Sequence, residues 1–118
     1  MARILLVDDD ATTLDLIGRA LAADRHQVKR CSDGQEALQE LLAAPDAFDL
    51  LLTDVDMPGV HGIELARRTA EVAPRVRILM MSGFDGETDQ ASLALVASFI
   101  TKPVSLARVR AAVRAALA

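Results

Sequence analysis

The sequence predicts an open, doubly wound α/β fold built on a five-stranded parallel sheet. Three observations lead there. The apolar runs are short and evenly distributed. Each is followed by polar or turn residues and then by a stretch with helical spacing, which is the rhythm of βα units. Three of the runs are almost uniformly apolar, as strands covered on both faces of a parallel sheet must be.

The first strand is expected over 4–7, followed by a helix that aligns Leu14, Ile17 and Leu21 on one face. A second strand over 27–31 leads to a helix with Leu38, Leu41 and Leu42 directed at the sheet. The third strand, 50–53, precedes a stripe of Ile63, Ala66 and Ala70, and the fourth covers 77–81. The segment 84–96 has the weakest period, because Gly86 and a run of polar residues dilute it; a short or mobile helix is expected there. After a fifth strand over 98–101, Leu106, Val109, Val113 and Leu117 form a final stripe, with Arg108, Arg110 and Arg114 turned away. Alternation of this kind calls for right-handed crossovers within one layered domain.

Composition narrows the function classes. A chain of 118 residues with 52% hydrophobic content buries one good core and is too short for two ordinary domains. One domain over 1–118 is expected. A net charge of -4 gives no general attraction to nucleic acid or anionic membrane, so neither is an expected partner. Three Phe residues are the only aromatics, which leaves almost no stacking platform for bases or sugars. A single cysteine, Cys31, excludes an internal disulfide, and no apolar run reaches the length of a signal or membrane segment. The cytoplasm is the expected compartment.

In open α/β sheets ligands bind beyond the carboxyl ends of the strands. The first strand runs into Asp8, Asp9 and Asp10, the third into Asp54, the fourth into Ser82 and the fifth into Lys102. Acids, a hydroxyl and an ammonium thus gather at one rim. Clustered carboxylates repel one another unless a cation neutralises them. Oxygen donors of this kind suit Mg²⁺, which takes one or two carboxylates together with phosphate oxygens and water. A carboxylate so placed can attack a phosphoryl group, while a lysine and a serine offset charge on the phosphoryl oxygens.

The motifs also carry a resemblance. Leu5-Leu6-Val7-Asp8-Asp9-Asp10, Asp33-Gly34-Gln35-Glu36-Ala37-Leu38, Asp49-Leu50-Leu51-Leu52-Thr53-Asp54, Met57-Pro58 with Gly62, and Thr101-Lys102-Pro103 resemble, in order and over essentially the whole chain, the receiver domains of two-component response regulators. The resemblance implies the strand order 2-1-3-4-5, the flavodoxin-like arrangement that receivers share. It makes Asp54 the phosphoacceptor and Asp8 and Asp9 the acidic pair for Mg²⁺, with the Asp56 backbone carbonyl as a further metal contact. Ser82 becomes the switch hydroxyl, Lys102 the lysine paired with the phosphoryl group, and Phe99 the aromatic whose rotamer follows the switch. The Lys102-Pro103 peptide bond is expected to be cis, since proline is the residue for which cis costs little. The implied donor is a sensor histidine kinase or histidine phosphotransfer protein. The implied output is a downstream target protein, or a second copy of the chain, bound at the surface around the segment 84–96, the fifth strand and the last helix. The chain would be a switch with weak self-catalysed phosphotransfer and dephosphorylation rather than an enzyme. The stretches around Gly62 to Arg68 and Ser82 to Phe84 are further similar to small stand-alone receivers of the CpdR type, which govern regulated proteolysis in α-proteobacteria.

Some positions depart from the family pattern: Asp56 adds an acid, Val60-His61 replaces a more usual Met-Asp, and Leu95-Val96 stands where a Gly-Ala pair is common. Plain structural readings compete at several others. Asp10 is expected to cap the first helix, Cys31 to be a small buried side chain near a strand end, and Met57-Pro58 to stiffen a loop. His26 and His61 read as solvated loop residues, and Arg67, Arg68, Arg75 and Arg77 as solvated charges. Two rival functions remain. Asp54-Val55-Asp56 resembles the paired aspartates of haloacid dehalogenase-type phosphatases, but no acid follows Lys102 to complete that family's metal site. A degenerate receiver acting only as an interaction module would have lost one of the acids or the lysine, and all are present.

Overall fold

The computed structural model describes residues 2–55, 57, 60–82, 98–101 and 104–118; the side chains of Ser82, Ser98 and Thr101 lie outside that description. Along the chain run β1 (Arg3–Val7), α1 (Ala11–Ala23), β2 (Gln27–Cys31), α2 (Gly34–Ala43), β3 (Leu50–Asp54), α3 (Gly62–Val72), β4 (Arg77–Ser82), β5 (Ser98–Thr101) and α4 (Leu106–Leu117). The segment 84–96, for which another helix is expected, lies outside the described residues.

The strands form one parallel sheet in the order β2-β1-β3-β4-β5. Side chains alternate across each strand, and the two resulting faces have separate cores. Ile4, Leu6, Leu50, Leu52, Leu79 and Met81 meet Ile17 and Leu21 of α1 and Val109 and Val113 of α4. Leu5, Val7, Leu51, Ile78 and Met80 meet Ala37, Leu38 and Leu41 of α2 and Leu65 and Ala66 of α3. Burial on both faces is why β1 and β3 read as unbroken apolar runs.

Three helical stripes differ in detail from the expectation. Leu42 is 54% exposed, because α2 buries Gly34, Ala37, Leu38 and Leu41, and Leu42 stands about 90° from the centre of that face. The same geometry recurs in α3, which buries Gly62, Leu65, Ala66 and Thr69 and leaves Ile63 and Ala70 only partly covered. Leu106 is 40% exposed in the first turn of α4, outside the reach of the core that holds Val109 and Val113. Arg108, Arg110 and Arg114 face outward as expected. Arg110 donates two hydrogen bonds to the Asp24 carboxylate and so clasps α4 to the end of α1.

Helix starts are set by side chains that satisfy free N–H groups. Asp10 accepts from Thr13 N, Asp33 from Glu36 N and Ser105 from Arg108 N. His61 caps α3 by accepting from Ile63 N through Nδ1, and His26 accepts from Ala2 N in the same way. Both histidines thus have a structural partner, near in sequence for His61 and distant for His26, that their sequence context does not announce.

Candidate functional site

Parallel register brings the acids together. Val7 pairs with Thr53 in the sheet, so the residues that follow, Asp8 and Asp54, emerge side by side at the carboxyl ends of β1 and β3. Asp8 is 1% and Asp54 3% exposed, whereas Asp9 is exposed. One carboxylate oxygen from each of Asp8, Asp9 and Asp54 lies within 4.8 Å of the other two. Asp8 Oδ1 also accepts from Asp10 N at 2.9 Å, and Asp8 N donates to Cys31 O at 3.2 Å, which fixes the β1–α1 turn. Asp10 is drawn into capping, as expected, and the positive end of the α1 dipole lies next to the cluster.

The loop after Asp54 is held just as closely. Val55 N donates to Met81 O at 3.0 Å, and Gly62 N to Val55 O at 2.9 Å. A Cβ at Gly62 would collide with the Asp54 carbonyl oxygen, and one at Gly34 with the backbone of Val60. Helices α2 and α3 therefore start flush against this loop. Met57 is buried beneath it, and Val60 packs on the same core. The Asp54 carbonyl also accepts from Thr53 Oγ1 at 2.9 Å, in a fully buried setting. Sequence reasoning takes Thr53 only as a strand residue and the glycines only as motif positions. A buried Thr between a leucine run and the acid is the one signal that could have marked it.

Two carboxylates held out of water beside an exposed third make an all-oxygen donor set of the type that hard divalent cations prefer. The residues present fit Mg²⁺. Phe99 is partly buried and packs against the core on the α2 and α3 side. Its strand pairs with β4, with Met80 opposite Phe99 and Ser82 opposite Thr101. The backbone of Ser82 thus ends β4 at the same rim. The Ser82 side chain, Asp56, Lys102 and Pro103, and with them the expected cis bond, lie outside the described residues. Cys31 is buried as expected, at 1% exposure.

A family model described as the response regulator receiver domain matches residues 4–114. This chain belongs to that family. Among its relatives is the response regulator receiver protein CpdR of Brucella abortus, 40% identical over 84 residues that make up 71% of this chain and 68% of that protein. The response regulator PleD of Caulobacter vibrioides is 33% identical over 96% of this chain, yet the match spans only 26% of PleD. Among solved structures, a response regulator receiver domain protein from Clostridium thermocellum superposes with a TM-score of 0.87 at 28% identity, covering 99% of this chain and 94% of that one. Membership of the receiver family sets the haloacid dehalogenase reading aside. Among the described residues, no helix of this receiver is long and apolar enough to cross a membrane.

Proposed function

We propose that this receiver accepts a phosphoryl group on Asp54 and thereby switches a protein-binding surface. The observation that carries the reading is the convergence of Asp8, Asp9 and Asp54 at the carboxyl ends of adjacent strands. An Oδ of Asp54 attacks the phosphorus of a phosphohistidine; the new O–P bond forms as the P–N bond breaks, and the electron pair leaves with the imidazole nitrogen. Asp8, Asp9 and Asp54, with the backbone carbonyl of Asp56, would hold Mg²⁺, which when bound neutralises the acids and the phosphoryl oxygens. Lys102 and Ser82 are assigned to the phosphoryl oxygens, and Phe99 to the coupling between site and surface.

The donor is a sensor histidine kinase or a histidine phosphotransfer protein. The output is a downstream protein, or a second copy of the chain, on the surface around 84–96, β5 and α4. One receiver domain spanning 1–118, cytoplasmic, with weak self-catalysed transfer and hydrolysis rather than an enzyme of turnover, completes the reading. Intact-mass spectrometry after treatment with a small phosphodonor and Mg²⁺ tests it. The wild type should gain one phosphoryl group and Asp54→Asn none; equal labelling of both sinks the assignment.

A further inference from the structure

Asp54 closes β3, and its carboxylate meets Asp8 and Asp9 only while its own backbone holds one orientation. The peptide carbonyl of Asp54 is fixed from two sides. Thr53 Oγ1 donates to it at 2.9 Å, and Gly62 at the start of α3 abuts it so closely that no side chain fits between. Beyond it, Val55 is tied to β4 through Met81 O and to α3 through Gly62 N.

The hydroxyl of Thr53 is unusual for its place. Its partners across the sheet are Val7 and Met80, and the three preceding residues of β3 are leucines. A valine would suit such a site, because a buried hydroxyl is costly until it is bonded and contributes little net stability afterwards. What the hydroxyl adds is direction. We propose that Thr53 is a positioning residue for Asp54: its hydroxyl holds the Asp54 carbonyl against the Gly62 wall and so sets the angle at which the carboxylate enters the acid cluster. The inference rests on the reading of Asp54 as the acceptor. Small displacements of a reacting group are costly in rate, which makes the reaction a sensitive gauge of that angle.

The test compares Thr53→Val, which keeps the shape and removes the donor, with Thr53→Ser, which keeps the donor. Two quantities are read at a temperature where melting without Mg²⁺ shows each variant folded. One is the rate of phosphoryl gain from a small phosphodonor. The other is the Mg²⁺ concentration that half-saturates the backbone amide shifts without donor. Thr53→Val should lose on the order of tenfold in rate and need more Mg²⁺, while Thr53→Ser follows the wild type. If Thr53→Val melts below the assay temperature, Thr53→Ala takes its place. A wild-type result for the donor-less variant in either measurement, or equal losses in both variants, overturns the proposal. Asp54→Asn run alongside separates the two ideas. Phosphoryl uptake by that variant sinks the acceptor reading, whereas uptake confined to Asp54 with Thr53→Val at full rate sinks only the role of Thr53.

Discussion

Asp8 and Asp54 are almost wholly removed from water, with Asp9 exposed beside them. Like charges in such an arrangement repel, and a divalent cation relieves the repulsion. Mg²⁺ should therefore raise the melting temperature. At tenfold excess over its dissociation constant the gain is about 1.4 kcal/mol. Asp9→Asn should blunt the response, and a wild type whose melting ignores millimolar Mg²⁺ contradicts the metal assignment. Cys31 makes a second prediction on the alkaline side. Burial, reinforced by Glu36 and Glu40, pushes its thiol up to about 12 from an ordinary value of 9.0. The folded state thus keeps its proton over a range in which the unfolded state has lost it. Stability linked to this group is complete below the unfolded value and falls as pH rises from 9.0 toward about 12. Urea unfolding measured across the lower part of that window should show a steeper decline in the wild type than in Cys31→Ala. The folded thiol should also react slowly with thiol reagents, since the thiolate is the reactive form.

Three helical glycines separate packing from propensity. Replacing a helical Gly by Ala ordinarily gains up to about 1 kcal/mol. At Gly18 the space is taken by the guanidinium of Arg30, the far end of a flexible side chain that also reaches Asp15. Gly18→Ala should be neutral or stabilising. At Gly62 the obstacle is the Asp54 carbonyl, and at Gly34 the Val60 carbonyl, neither of which moves alone. Gly62→Ala and Gly34→Ala should each destabilise by about 1–3 kcal/mol in urea unfolding; gains at all three sites contradict this packing. Element types were legible in the sequence because apolar runs of strand length alternate with helical periods. Helix faces were less so: a stripe of Ile63, Ala66 and Ala70 satisfies the period, yet the buried side is set by Leu65 and Thr69. Polar Thr69 fits there by donating to Leu65 O at 2.7 Å, which no apolar count can foresee. The His61 cap was hidden for a similar reason, since histidine is not among the favoured capping residues.

The acid cluster was legible as a whole because a parallel sheet sends every strand's carboxyl end to one rim, so Asp8, Asp9 and Asp54 had to meet there. The support under Asp54 was not, because the Thr53 bond depends on a rotamer and the Gly62 contact on how α3 seats against the loop. The order of the strands places β4 next to β3 and β5 next to β4, with Phe99 beside Met80. A change at Asp54 has that route to the far edge of the sheet. Backbone NMR with Mg²⁺ and beryllofluoride as a phosphoryl mimic should accordingly place the largest shifts away from Asp54 between Ser82 and Val104. Shifts confined to the loops around Asp8 and Asp54 mean that the signal does not leave the site. In the proposed reading, one carboxylate of the cluster takes the phosphoryl group and the cluster as a whole acts as a metal site. Peptide mass spectrometry after treatment with a small phosphodonor, with Mg²⁺ or with a chelator in its place, probes both at once. One phosphoryl group should appear on the peptide containing Asp54, formed only when Mg²⁺ is present; a label on any other peptide, or one that persists undiminished with the chelator, would overturn the reading.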